Sequence, residues 1–260
     1  MSAALVAQAS HPMMSAIEVR SALNTNLLRR FVDPLPIPNV ARPTGLRPDP
    51  EAPGRKIPYY RIEMSQFESR LHRDLKPTLQ WGFAASVPGP TLETRSGEGL
   101  LVEWVNMLPK KHFLPIDVGL HGAEADQPEV RTVVHLHGGR TPAASDGYPE
   151  DWYVPGKSAI CHYPSNQEAA MLWYHDHAMG INRLNIFAGL LGVFLVRDNA
   201  EAALNLPNGR HEIPLVIYDR SFTENAQLNY PVSSNPAATL GRGILRRYDV
   251  GQQDISLSRS

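Results

Sequence analysis

The chain has 260 residues and a single cysteine, Cys161, so no intrachain disulfide can form. A formal net charge of −1 gives no electrostatic footing for a nucleic-acid or anionic-membrane partner, and no apolar run approaches the ~20 residues of a transmembrane helix. With 23 prolines, 19 glycines and 42% hydrophobic residues, the composition suits a loop-rich β protein better than a helical one, of one large domain or of one and part of a second.

Residues 1–30 carry no period and read as a flexible tail. Their opening lacks the basic n-region and apolar length of a secretion signal, and Arg29-Arg30 precedes a proline-rich run rather than an export core. The segment 32–53 is also proline-rich and reads as an extended strap. Strands are predicted at 58–64, within 75–83, at 87–94 after a Pro-Gly turn, and at 100–106, where Leu101, Glu103 and Val105 face opposite Val102, Trp104 and Asn106. More follow at 132–137, 158–163, 171–177 and 190–197, with a short helical turn over 178–185. A polar linker, 199–208, leads to a strand at 213–218 that reads as the opening of a second domain. Many short strands with Pro/Gly turns argue for a β-sandwich or barrel.

The chemistry concentrates between Val133 and Asp198. Two His-x-His pairs, His135/His137 and His175/His177, lie in β-type sequence. Side chains at i and i+2 of a strand share a face, ~6.6 Å apart, so each pair presents two imidazoles to one side. If the strands meet, four imidazoles converge. One pair can arise by chance; burying four imidazoles without partners is costly, so two pairs argue for a metal. Imidazole suits copper, zinc, iron or nickel, not magnesium or calcium. A zinc hydrolase also uses such pairs, but it wants a carboxylate beside the metal, and only Asp146 and Asp176 are candidates.

Several segments together resemble the multicopper oxidases, nearest the bacterial spore-coat laccase and bilirubin oxidase branch. They are His135-Leu-His-Gly-Gly-Arg-Thr-Pro142, Ser145-Asp-Gly-Tyr-Pro149, His162-Tyr-Pro164 and Leu172-Trp-Tyr-His-Asp-His-Ala-Met179. Flanking support comes from Phe31-Val-Asp-Pro34, Leu71-His-Arg-Asp74, Pro88-Gly-Pro-Thr91, His112-Phe-Leu-Pro115, Arg183-Leu-Asn185 and Ile217-Tyr-Asp-Arg220; the resemblance spans residues 31–236. It implies an all-β fold: a cupredoxin-like Greek-key β-sandwich over 31–198, followed over 199–238 by the start of an incomplete second cupredoxin domain. It implies that His135 ligates a type 2 copper, and that His137, His175 and His177 ligate a type 3 pair. The resulting trinuclear cluster reduces O2 to water while a phenolic or similar small-molecule reductant is oxidised. Asp146 matches an acid that assists proton delivery in this branch; a turn role in Ser-Asp-Gly weighs equally. For Asp176 simple structural use outweighs a hydrogen bond behind the ligands. A cytoplasmic or spore-coat-like location is expected over secretion.

The sequence also departs from the family pattern. The cluster needs eight histidines; four are offered here, and the His-Pro-x-His-x-His and His-Cys-His motifs that carry the rest are missing. No type 1 copper site is read, because Cys161 lies upstream of His175, with Ile160 before it and Asn166 where a ligand histidine would stand. Cys161 reads as a buried strand residue. Residues 239–260 show no strand alternation and read as a divergent tail, the mark of a frameshift or early stop, or of one half of a split enzyme. The chain alone is therefore expected to be inactive, a copper-binding module unless a second polypeptide supplies the missing ligands. His72 and His112 gain no ligand role, and His11, His121 and His211 read as exposed or structural.

Overall fold

The computed structural model describes residues 22–230. Among the described residues nine strands build two mixed sheets: β1 (Gly45–Pro48), β2 (Lys56–Ser69), β3 (Thr78–Phe83), β4 (Gly89–Arg95), β5 (Leu100–Asn106), β6 (Val134–His137), β7 (Ser158–Tyr163), β8 (Ala170–Asp176) and β9 (Leu191–Arg197). One sheet runs β1-β2-β5-β7, with β3 also on β2; the other runs β4-β9-β8-β6. The chain crosses between the sheets after β3, β4, β5, β6 and β7, so five of the eight connections between strands span the sandwich.

Alternation explains the layering. On β2 the even residues Tyr60, Ile62 and Met64 enter the main core, while Ile57 and Tyr59 turn outward to a small satellite cluster with Leu101. On β5, Val102 and Trp104 point inward with them. Facing them are Leu136 of β6, Tyr174 of β8 and Phe194 of β9, all buried. The aromatic centre is Phe83, Trp104 and Tyr174, with ring centroids 5.0–5.2 Å apart. Its polar tips are satisfied: Trp104 Nε1 donates to Tyr163 Oη at 3.0 Å, and Tyr174 Oη to the Pro90 carbonyl at 2.7 Å.

Helix α1 (Asn182–Ala188) joins β8 to β9 and ends at Gly189, whose φ of +128° places the chain where a Cβ would lie 2.1 Å from the Trp81 carbonyl oxygen. The predicted helical turn thus forms a few residues later than 178–185. Strands β5 and β7 match their predicted limits, and the other predicted strands up to residue 197 shift by a few residues.

Four stretches depart from the sequence reading. Within the proline-rich strap, β1 pairs antiparallel with β2; all four of its residues are exposed, and an edge strand tolerates Pro48, which lacks an N–H, because no ladder donor is needed on the side that faces solvent. The linker begins with helix α2 (Asn199–Ala203), started by the Asp198 side chain accepting from Glu201 N. Residues 213–218 are apolar but join no ladder among the described residues, since composition supplies a strand's side chains and not its partner. The supposed tail is tied down from residue 22: Leu23 N donates to the Phe222 carbonyl, and Arg29 makes two bonds to Asp74. Residues 221–229 form a tight hairpin whose Ala226 carbonyl and Gln227 side chain bond Thr78 and Leu79, tying it to β3. Residues 1–21 and the divergent tail at 239–260 lie outside the described residues.

Gly192 of β9 lies under the Tyr174 ring, where an added Cβ would come 2.2 Å from Cζ. Gly192→Ala therefore overpacks the centre of the core and should cost about 1–3 kcal/mol in urea unfolding. Parental stability would show that the Tyr174 ring yields without cost.

Candidate metal centre

Strands β6 and β8 pair antiparallel, with His135 directly opposite His175 and His137 opposite Trp173. One face of this ribbon is apolar and carries Val134, Leu136, Leu172 and Tyr174 toward the core. The other carries His135, His137, Trp173 and His175. His177 lies one residue past β8, and its N–H continues the ladder to the Val133 carbonyl at 2.7 Å. All four predicted histidines therefore come together. His135, His137 and His175 have ligand atoms within 4.8 Å of one another. The His177 ring stands 4.8 Å from that of His135 and 5.6 Å from that of His175.

Main-chain carbonyls determine how the rings present their nitrogens. His135 Nδ1 lies 2.5 Å from the Asp146 carbonyl, His175 Nδ1 2.7 Å from the Asp176 carbonyl, and His177 Nδ1 3.1 Å from the Gly147 carbonyl. A carbonyl only accepts, so each Nδ1 carries the proton and each Nε2 keeps a lone pair, the form a metal needs. His137 turns its Nδ1 instead toward His175 Nε2, at 3.3 Å. Two nitrogens that far apart can bind one first-row ion at ~2 Å each. Trp173 stacks on His175 with centroids 4.0 Å apart and flanks His137.

Burial disfavours the charged form of the two histidines from the β8 end. It pushes His175 down to about 4, further lowered by its histidine neighbours, and it lowers His177 as well. Asp146 contributes its carbonyl to His135, while its carboxylate accepts from Thr141 Oγ1 at 2.7 Å and lies 3.5 Å from His135 Nδ1. That side chain is 49% exposed, at the rim of an open surface pocket shared with Glu51 and Arg140.

Asp176 points the other way, into the core, and is fully buried. Its carboxyl accepts from Val133 N, Ala178 N and Asn185 Nδ2, and burial nonetheless raises it to about 7. Asn185 also bonds His112 Nε2 at 3.1 Å. Neither Asn185 nor His112 stands out in the sequence as a site residue; an Asn in a short helix and a lone His carry no pattern, and only the fold brings them behind the pair. Cys161 is buried on β7, where burial lifts its thiol to about 11, away from the thiolate form.

The donor set fits a first-row transition ion. It holds four converging imidazoles, three with the metal-binding lone pair preset by the backbone, and no carboxylate among the ligand atoms.

Comparison with known proteins gives a consistent result. The multicopper oxidase family model matches residues 125–201, which include both histidine pairs. The chain is 47% identical to a laccase of Bacillus stratosphericus over 216 residues, 80% of this chain and 41% of that protein. It is 43% identical to a laccase of Bacillus subtilis (strain 168) over 224 residues, 82% of this chain and 42% of that protein. The crystal structure of a laccase from Pediococcus acidilactici superposes with a TM-score of 0.60 at 25% identity, covering 76% of this chain and 37% of that one. The chain thus spans about two fifths of the length of the curated relatives it matches.

Buried His112 contributes an acid limb to the stability of the metal-free chain, opposed over the same window by Asp176, whose raised carboxyl takes up its proton first in the folded state. Burial also holds His112 down to about 4, against an ordinary 6.5. A lowered base binds its proton first in the unfolded state, so stability is full above about 6.5 and falls as pH drops toward 4. His112 alone contributes on the order of 3 kcal/mol across that window. Urea unfolding of the copper-free chain at pH 7 and pH 4.5 measures the slope. His112→Gln should gain stability relative to the parent between pH 7 and pH 4.5, and an unchanged difference between the two proteins would assign the His112 contribution elsewhere.

Proposed function

The chain belongs to the multicopper oxidase family, in its laccase branch, and from that premise we propose that it supplies half of the histidine ligands of a trinuclear copper cluster. In this reading His135 ligates the type 2 copper, and His137, His175 and His177 ligate the type 3 pair. Copper held there would supply the redox chemistry that reduces O2 to water as a phenolic or similar small molecule is oxidised. The observation that carries the reading is the set of three carbonyl bonds, from Asp146, Asp176 and Gly147, which leave the lone pair of each ring on Nε2 within a cluster of four imidazoles.

The remaining side chains have distinct tasks. Trp173 covers one side of His175 and His137 and limits water there. Asp146 holds its carboxylate beside His135 and open to solvent, so it can pass protons inward from the surface. The ligand face looks away from the sandwich core, and His137 is exposed on it. The other four histidines would approach from that side, from a different part of a longer polypeptide or from a second chain. For the 260 residues alone, this open face favours a second reading, a copper-binding module without turnover of its own.

Titration of the purified chain with Cu(II) should show stoichiometric binding that His135→Ala combined with His175→Ala abolishes. Retained binding in the double variant would place the copper elsewhere. Oxygen uptake with a phenolic reductant and added copper should stay at background for the chain alone. Sustained turnover without another polypeptide would overturn the half-site reading.

A further inference from the structure

We propose that the buried chain of side chains His112, Asn185 and Asp176 is a positioning device for the metal centre, holding the backbone on both sides of the two histidine pairs so that their donor atoms meet. The inference rests on the copper reading above and assigns work to residues which that reading leaves idle.

The bonds end where the ligands begin. One Asp176 carboxyl oxygen accepts from Val133 N at 3.1 Å; the other accepts from Ala178 N at 3.1 Å and from Asn185 Nδ2 at 2.9 Å. Val133 stands two residues before His135, and its own carbonyl takes the His177 N–H. Ala178 directly follows His177. The main-chain carbonyl of Asp176 accepts from His175 Nδ1, and its N–H donates to the Leu190 carbonyl. One residue therefore grips the entry to β6, the exit from β8 and the ring of the ligand between them.

Hydrogen-bond chemistry permits a single polarity along this chain. Leu114 N donates to His112 Nδ1 at 3.0 Å, so the ring proton sits on Nε2 and is donated to Asn185 Oδ1. The Asn185 amide is then fixed with its NH2 toward the Arg131 carbonyl, at 3.1 Å, and toward Asp176. A carboxylate only accepts, so Asp176 closes the series. His112 is clamped in turn by Trp81, with ring centroids 4.1 Å apart. A latch serving only stability has no need to end on main-chain atoms within two residues of a ligand from each pair. Partners standing behind ligands in this way tune metal binding.

The test uses the 260-residue chain with Asp176→Asn, His112→Leu and His112→Gln. Asp176→Asn and His112→Leu should weaken Cu(II) in a competition titration by roughly 10–100-fold and 10-fold respectively. Both should change the copper EPR hyperfine splitting. His112→Gln, whose amide can still donate to Asn185, should restore the parent spectrum. In the copper-free chain, Asp176→Asn should speed amide hydrogen exchange at Val133 and Ala178. Parental copper affinity and EPR in Asp176→Asn and His112→Leu would overturn the proposal, even if the melting temperature falls. If Asp176→Asn fails to fold, the His112 pair decides the matter alone. Should the parent chain bind no copper, the half-site reading fails. Unchanged exchange at Val133 and Ala178 in Asp176→Asn would then separately overturn this inference.

Discussion

The antiparallel register of β6 against β8 is the constraint on which everything else depends. It sets His135 opposite His175 and gives the ribbon one apolar face and one imidazole face. A slip of one residue would turn the histidines into the core and Leu136 and Tyr174 into solvent. The register is therefore specified by the hydrophobic effect on the face away from the chemistry. Tyr174 at the aromatic centre of the sandwich and Leu136 beside it are as necessary to the donor set as the histidines themselves.

The same ribbon carries the polar burden of the core. Asp176 alternates to the inner face, where an unpaired carboxyl would be severely penalised. Three donors answer it, and Arg131 lies nearby as a buried cation. The Arg131 guanidinium bonds the carbonyls of Pro128, Gly122 and Met179, so the loop before β6 and the turn after His177 are stitched together. Buried polar groups of this kind do little for net stability compared with an apolar repacking. What they contribute here is a single arrangement of two chain segments that each carry a histidine pair.

Much of this was legible in the sequence because it follows from period and residue type. The His-x-His spacing gave the shared face, and the apolar alternation of 100–106 and 158–163 gave strands that formed within their predicted limits. The two-sheet, cupredoxin-like sandwich followed from strand count and from the family resemblance, and solved relatives share it. What escaped depends on partners distant in sequence. Strand β1 exists because the edge of β2 is free to receive it, despite Pro48. Residues 213–218 have strand composition but no ladder partner among the described residues. His112 and Asn185 acquire meaning only once α1 is laid against β3 and β8. A sequence pattern registers what a residue is and how often it recurs; it does not register what stands behind a ligand.

The segment between β6 and β7 shows the same division between side chain and main chain. Its short turn, Ala143–Ser145, brings the carbonyls of Asp146 and Gly147 to two of the four rings. Any residue supplies a carbonyl, so the identity of that bond leaves no trace in sequence, but its position does. Gly147 has φ of +75°, and a Cβ there would lie 2.3 Å from the Val134 carbonyl oxygen, so only glycine lets the loop approach β6 closely enough to reach His177. The neighbouring Asp146 is then free to use its side chain for something else, because its backbone already holds His135. One turn thereby presets two ring tautomers through its main chain while leaving a solvent-facing carboxylate within 3.5 Å of the cluster. Ring orientation and a solvent-facing carboxylate are thus carried by different atoms of the same turn.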